Sequence, residues 1–198
     1  SNVMKRCLTI LLLSVAVLVV LVRSMDRTPK AAGIDYAQAM KQTDSTAVVL
    51  GTEGVPAADV VFTRFGLLWS NLTAQSVATH VNAVYAETVW FNDTLKTFEG
   101  RPALALYLDQ TARRVDACAV EIVDVAASGV DYYVRWRMTV VPPETDPAEA
   151  WKSIGVTHMR FDREGRVLLH QDYWDAAGGL YEHLPGIGWI LRNIRARL

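Results

Sequence analysis

The hydrophobic pattern of this chain changes its period near residue 115, and this change restricts the folds that the chain can adopt. Before that point, apolar residues recur at helical spacing from about Val60, around Val77 to Val84, and from Pro102 to about Arg113. After it, four segments alternate with the period typical of strands: VDACAVEIVDVAA, DYYVRWRMTVV, SIGVTHMRFD and GRVLLHQDYWD. Helices followed by a run of antiparallel strands predict an α+β domain in which about three helices cover one face of a curved sheet.

The expected domain spans residues 59–178 and contains one more strand-like segment, TVWFND, between the second and third helices. Asp162 to Gly165 predicts a tight hairpin between the last two strands. A curved sheet capped by helices forms a cone, whose open end is a natural apolar pocket for a small molecule. Residues 24–58 are mixed, small and polar, and we interpret them as a linker with one short helix around Tyr36 to Lys41.

The N-terminal part carries an uncharged run, CLTILLLSVAVLVVLV, from Cys7 to Val22. Its length lies between a signal-peptide core and a full membrane span of roughly 20 residues. No small-x-small cleavage site follows, which favours an uncleaved transmembrane signal anchor at residues 7–23, with residues 1–6 cytoplasmic. A start at Met25, without the anchor, is the alternative.

Positive charges flank the run on both sides and leave its orientation open: Lys5 and Arg6 precede it, and Arg23, Arg27 and Lys30 follow. Because the run begins almost at the N-terminus, we expect the domain on the outer, periplasmic or extracellular, side of a membrane.

Composition argues against several functions. The formal net charge of −1 gives no field that would attract nucleic acid. The two cysteines, Cys7 and Cys118, form neither a plausible bridge nor part of a metal set, so we expect no metal or other cofactor.

Two segments resemble a known family: YAETVWFNDTLKTFEGRPALALYL, from Tyr85 to Leu108, and MRFDREGRVLLHQDYW, from Met159 to Trp174. They are similar to the NTF2-like superfamily in its SnoaL-like and ketosteroid-isomerase-like branch, over about Val60 to Ala177. The resemblance implies the cone fold. It implies less about chemistry, because this superfamily hosts enzymes, carriers and structural domains.

The resemblance to the isomerases implies a general base at Asp93, which shares one strand face with Val89 and Phe91. It also places Trp69 and Thr157 where those isomerases carry the two oxyanion donors. The donors of a ketosteroid isomerase are therefore absent, and we expect a different activity.

The stretch HQDYWD supplies further candidates, since alternation puts His170, Asp172 and Trp174 on one face of a strand. The resemblance implies that this face lines the pocket, as the acid–base pairs of SnoaL-type cyclases do. We predict Asp93, His170 and Asp172 as catalytic, with the following residues binding a small hydrophobic ligand: Phe91, Trp69, Trp136, Met138, Thr157, Met159 and Trp174. The alternative is a hydrogen-bonded structural pair of Asp and His.

The C-terminal segment, residues 179–198, predicts a short basic amphipathic helix from Ile187. Ile190, Leu191 and Ile194 would share one side with Ile187, opposite the arginines Arg192, Arg195 and Arg197. Such a helix fits a membrane interface or an anionic partner, and equally a tail folded over the sheet or across a dimer.

Two functions are therefore expected. The first is a cofactor-independent isomerase, cyclase or hydro-lyase acting on a small hydrophobic molecule. The second is a non-catalytic scaffold or lipid-binding domain of an envelope complex. A homodimer through the sheet is a further expectation, by analogy with folds of this kind.

Overall fold

The computed structural model describes residues 32–184 and 186–197. The transmembrane anchor expected at residues 7–23 and the cytoplasmic residues 1–6 lie outside the described residues. Within the described ranges, every helix is too short or too polar to cross a membrane.

Four helices precede or interrupt the strands: α1 (Ala32–Thr43), α2 (Ala58–Trp69), α3 (Ala74–Val84) and α4 (Arg101–Ala112). The three helices predicted for the domain are α2, α3 and α4. Helix α3 begins with a reciprocal capping box between Thr73 and Ser76. Helix α4 follows Gly100, whose φ of 86° favours glycine, and has Pro102 in its first turn.

Six strands form one curved sheet in the order β2-β1-β6-β5-β4-β3. Their bounds are β1 (Tyr85–Asn92), β2 (Thr97–Glu99), β3 (Ala117–Ser128), β4 (Asp131–Val141), β5 (Trp151–Phe161) and β6 (Val167–Trp174). The α+β class and the four alternating strands are confirmed. The sheet is not wholly antiparallel, because β1 pairs in parallel with β6. This pairing brings the carboxyl ends of β1 and β6 to the same end of the sheet.

Helices α2, α3 and α4 pack on the inner face of the sheet and form the main core with it. Val61, Phe65 and Leu68 of α2 are buried, as their helical spacing predicts. The inward residues of β4 include Val134 and Trp136, whereas Arg135 and Arg137 on the opposite face are exposed. Helices therefore cover the inner face, where the alternating strands present their apolar side.

From Tyr36 onward, the segment interpreted as a linker belongs to the folded domain. Ala39 is buried with Trp90 and Leu169 on the outer face of the sheet, and Tyr36 and Met40 pack against this cluster. The following residues contact the end of β5, where Val48 N–H donates to the carbonyl oxygen of Phe161 at 3.0 Å. The apolar stripe of α1 is too narrow to stand out against the polar residues around it.

A polar network beneath α1 fastens it to the sheet. The hydroxyl of Tyr36 hydrogen-bonds Nδ1 of His158 at 2.8 Å, and Nε2 of His158 donates to Asp131 at 2.8 Å. Arg160, also buried, donates to Asp131 and to the carbonyl oxygen of Met40. His158 thus lies on the outer face of the sheet, beneath α1.

The C-terminal residues form a cap that folds back against one end of the sheet. The cap consists of α5 (Ala176–Gly179), a 3-10 turn (Tyr181–His183) and α6 (Ile187–Arg195). Gly179 lies so close to Ser153 and Trp174 that a Cβ would be 2.7 Å from the Ser153 side chain. The ring of His183 stacks on Trp151 with 4.8 Å between centroids.

Candidate active site

A cavity of about 220 Å³ lies between the inner face of the sheet and helices α2 and α4. Its walls are mainly apolar and aromatic. The lining residues lie on helices α2 and α4, on the cap, on all strands other than β2, and in the connecting loops: Phe65, Trp69, Leu72, Phe91, Asp93, Leu95, Tyr107, Leu108, Thr111, Val115, Cys118, Val120, Trp136, Met138, Val140, Thr157, His170, Asp172, Trp174, Gly179 and Leu180. We call the partly exposed lining residues Leu95, Thr111 and Leu180 the cavity mouth. The structure thus places Asp93, His170 and Asp172 in the wall of one cavity.

Among the predicted ligand-binding residues, Met159 lies outside the cavity wall. Its side chain is fully buried in the core. Alternation correctly gave the face of β5 on which Met159 lies, but it carries no information about depth. At the level of Met159 the helices fill the space that remains open near Thr157. Phe91, Trp69, Trp136, Met138, Thr157 and Trp174 do line the cavity.

His170 is held by hydrogen bonds at both ring nitrogens. Nδ1 lies 3.2 Å from the hydroxyl of Tyr85, and Nε2 lies 3.0 Å from Oδ1 of Asp172. Trp69 Nε1–H donates to the same Tyr85 hydroxyl at 3.1 Å, so the hydroxyl proton of Tyr85 is free to point at Nδ1. With Tyr85 donating to Nδ1, the ring N–H lies on Nε2 and donates to Asp172.

Burial raises the pKa of Tyr85 well above its ordinary value. Tyr85 therefore keeps its proton and acts as a donor to His170 throughout the physiological range.

Asp172 receives a second hydrogen bond from Thr157, its direct neighbour on strand β5. Trp136 Nε1–H donates to the hydroxyl of Thr157 at 2.8 Å, and that hydroxyl donates its proton to Oδ1 of Asp172. Oδ1 therefore accepts two hydrogen bonds, from His170 and from Thr157. Oδ2 accepts none from the described residues, and the side chain is 15% exposed and lines the cavity.

Asp93 is also in the cavity wall, but both of its oxygens are engaged. Oδ1 accepts backbone N–H groups of Leu95 at 2.9 Å and Lys96 at 2.8 Å, in the turn that follows β1. Oδ2 accepts a short hydrogen bond from the hydroxyl of Tyr107. Burial, and next the charge of Asp93, raise the pKa of Tyr107, which keeps its proton on the oxygen that faces Asp93.

Sequence reasoning missed several residues of the site: Tyr85, Tyr107, Cys118, Gly179 and Leu180. A signal existed for Tyr85, because it lies an even number of residues from Phe91 in β1, and alternation therefore predicts both side chains on the same face. The exposed Glu87 and Thr88, where the strand register shifts, interrupt that pattern. No local pattern indicates that Gly179 and Leu180 fold over the cavity.

Cys118 is a buried thiol in the cavity wall, and burial raises its pKa to about 11. It is therefore protonated at neutral pH and serves as a small apolar lining residue. Within residues 32–184 and 186–197, His, Cys, Asp and Glu form no group of three or more that could hold a metal ion.

A curved sheet with helices on its inner face and a cavity between them defines an NTF2-like cone. The chain belongs to the family of SnoaL-like domains, whose model matches residues 69–170, more than half of the chain. The resemblance noted from the sequence is confirmed. No curated protein sequence matches the chain.

Solved structures share this fold at low identity. An LEH-like epoxide hydrolase from M. tuberculosis is 16% identical, with a TM-score of 0.51 over 68% of this chain and 91% of that chain. A protein of ketosteroid isomerase-like fold from Catenulispora acidiphila DSM 44928, solved with trimethylamine, is 16% identical, with a TM-score of 0.52 over 61% and 88% of the two chains. TsrD from Streptomyces laurentii is 11% identical, with a TM-score of 0.51 over 66% and 94%. Identities this low show the common fold alone.

Proposed function

We propose that this protein is a membrane-anchored domain that binds a small hydrophobic molecule in its cavity and moves a proton on it. The observation that carries the proposal is Oδ2 of Asp172, which faces an otherwise apolar cavity without a hydrogen bond from the described residues. The two hydrogen bonds to Oδ1 fix the orientation of the carboxylate. A carboxylate held in this way can accept a proton from a bound ligand.

The geometry distributes the roles differently from the family resemblance. Asp172 is the proton acceptor. His170 is a positioning residue, since Tyr85 and Trp69 fix its ring and it donates to Asp172. Asp93 has both oxygens occupied, so we assign it to holding Tyr107 rather than to taking the first proton.

The chemistry that fits is cofactor-independent isomerisation of a carbon acid. Oδ2 of Asp172 removes a proton from the carbon beside a carbonyl group, leaving an enolate and a carboxylic acid. The same acid returns a proton to that carbon or to a conjugated one, which completes the exchange or the isomerisation. Cyclisation and elimination of water begin with the same proton removal.

The cavity also limits the ligand. Its volume of about 220 Å³ is smaller than the roughly 300–1,000 Å³ of typical small-molecule sites. Trp136, Trp174 and Phe91 offer flat apolar walls that suit one or two fused rings. A larger steroid or fatty acid would need movement of the cap at Leu180.

The membrane anchor and the outer location of the domain are part of the proposal. The anchor is supported by the uncharged run from Cys7 to Val22. Retention of the full chain in membranes after alkaline carbonate extraction tests the anchor.

The experiment on the cavity uses bicyclic aromatic ketones such as tetralones, with steroids and fatty acids for comparison. Binding to the full chain in detergent is measured by thermal shift, and proton transfer by the uptake of deuterium from D₂O into the carbon beside the carbonyl group. The wild type should bind a tetralone and accelerate its deuterium uptake. Asp172→Asn should bind it and lose about 100-fold or more of that acceleration, because the amide cannot accept the proton.

The control is Asp124→Asn, which changes an exposed carboxylate paired with Arg135 outside the cavity, and it should leave the exchange rate unchanged. Equal exchange in Asp172→Asn and the wild type would contradict the assignment.

A second candidate is a carrier that binds the same molecules without chemistry. It is favoured by the pairing of His170, Thr157 and Tyr107 with protein groups, which leaves these side chains no free donor for an oxyanion. Concentration-dependent stabilisation by a ligand, with no deuterium uptake in the wild type, would identify the carrier.

A further inference from the structure

Helix α6 presents its apolar side chains to solvent. Ile187, Trp189, Ile190 and Ile194 are 50%, 66%, 51% and 50% exposed. The buried residue of this nine-residue helix is Gly188, which has no side chain. An amphipathic helix that served the core would turn its apolar side inward, so this exposure needs a different explanation.

Polar contacts hold α6 in this orientation. Arg195 pairs with Glu182 at 2.6 Å and with Asp175 at 3.1 Å, and Arg192 donates to the carbonyl oxygen of Glu182. Gly188 lets the helix approach so closely that a Cβ there would lie 2.1 Å from the same carbonyl oxygen. The polar side of α6 is thus fixed against the domain.

The exposed apolar side belongs to the same cap that closes the cavity. Gly179 and Leu180, which precede α6, line the cavity, and Asp175 joins the cap to the end of β6. The surface formed by Ile187, Trp189, Ile190 and Ile194, which we call the α6 surface, therefore belongs to the element that closes the cavity mouth at Leu180.

We propose that the α6 surface contacts a lipid bilayer and that the cavity mouth is thereby held at the membrane. A bilayer fits better than a protein partner, because residues 175–197 contain three arginines and two acids, both acids pair with Arg195, and the remaining positive charge suits anionic headgroups. Trp189 and the isoleucines match the boundary between headgroups and acyl chains. The membrane contact stands on the cap alone, and the ligand class rests on the proposed function. The ligand would be an apolar molecule dissolved in the bilayer, which enters past Leu180.

The test measures the depth of Trp189 in lipid. The full chain is reconstituted into vesicles of phosphatidylglycerol and phosphatidylcholine, with or without bromine atoms on the acyl chains, which quench tryptophan emission on contact. The contribution of Trp189 to the fluorescence is the difference between the tryptophan emission of the wild type and that of Trp189→Phe. Most of this contribution should be lost in the brominated vesicles, and the double variant Ile190→Ser with Ile194→Ser should restore it.

Ile154→Ser is the matched control, since Ile154 is an equally apolar, 68% exposed residue on β5 outside the cap. It should leave the quenching of Trp189 unchanged, as should Asp172→Asn, which separates this test from the function of the cavity. Trp189 emission that bromine does not quench would overturn the proposal. In that case, protection of Trp189 from aqueous iodide would point to a second copy of the chain on this surface, and full accessibility to iodide would mean that nothing covers it.

Discussion

Gly155 is the residue on which the geometry of the cavity wall depends most directly. The ring of Trp136, on the neighbouring strand, occupies the space that a side chain at residue 155 would need, and a Cβ would lie 2.3 Å from a ring carbon. This position of the ring lets Trp136 Nε1 reach Thr157, which in turn orients Asp172. A missing side chain on β5 thus supports the orientation of a carboxylate on the neighbouring strand β6.

Gly155→Ala should destabilise the protein by about 1–3 kcal/mol, because Trp136 must leave its rotamer to make room. It should also weaken ligand binding, since the displaced ring loses its hydrogen bond to Thr157. Denaturant unfolding and thermal shift with a ligand measure the two effects.

Gly66→Ala provides the matched comparison, because Gly66 lies inside α2 with open space around it. It should be neutral or add up to about 1 kcal/mol of stability. Equal effects of the two substitutions would contradict the role given to Gly155.

At the level of single residues, period-2 alternation places His170, Asp172 and Trp174 on one face of β6, and the family resemblance implies that this face is the inner one. It could not say which partners these side chains find across the cavity. The contact of His170 with Tyr85 joins residues 85 positions apart, and the free oxygen of Asp172 depends on where Thr157 donates its proton. Such details depend on tertiary packing and have no local signature.

Among the elements, α1 and its buried polar network are sensitive to pH. Burial lowers the pKa of His158, and the hydrogen bond to Asp131 offsets this only in part. The unfolded chain therefore binds a proton at residue 158 more readily than the folded chain. The contribution of His158 to the free energy of unfolding should be fully present above the ordinary histidine pKa of about 6.5, and the free energy of unfolding should fall as the pH drops below that value.

The full chain in detergent should consequently show a lower melting temperature at about pH 5.5 than at about pH 7.5. His158→Gln should reduce this difference, because the amide can still donate to Asp131 but does not titrate. Calorimetry at both pH values measures the change. If wild type and variant lose the same amount of stability, the protonation of His158 is not coupled to folding.

The elements also show where sequence patterns are strong and where they are weak. Helices α2 to α4 and the long strands have wide apolar faces, and the expected boundaries are close to the observed ones. Among the described side chains of helix α1, Tyr36, Ala39 and Met40 pack on the sheet, and their partners Trp90 and Leu169 lie on strands far away in the sequence. The three-residue strand β2 is too short to produce a period.

For the whole molecule, we expect the cap to control access to the cavity, because Gly179 and Leu180 line it. Cys118 reports this access, because its thiol lines the cavity and has a pKa of about 11. In a Cys7→Ser background, its labelling by iodoacetamide should be slow at neutral pH. The rate should rise about tenfold per pH unit up to about pH 10, following the thiolate fraction.

Asp175→Ala should accelerate this labelling at constant pH, because Asp175 both caps α5 and pairs with Arg195. Asp124→Ala, which breaks an exposed pair outside the cap, should not change the rate. Equal rates in all three proteins would show that the cap does not limit access to the cavity.

The parallel pairing of β1 with β6 also determines the order in which the site can be built. Asn92 and Gln171, hydrogen-bonded neighbours across this pair, are 79 residues apart in the chain. Contacts between such distant segments form slowly, because a long loop must close before they are gained. During synthesis, the wall that carries Asp93 is complete long before the strand that carries His170 and Asp172. The cavity therefore assembles only after β6 has been made, which makes it one of the last parts of the domain to form.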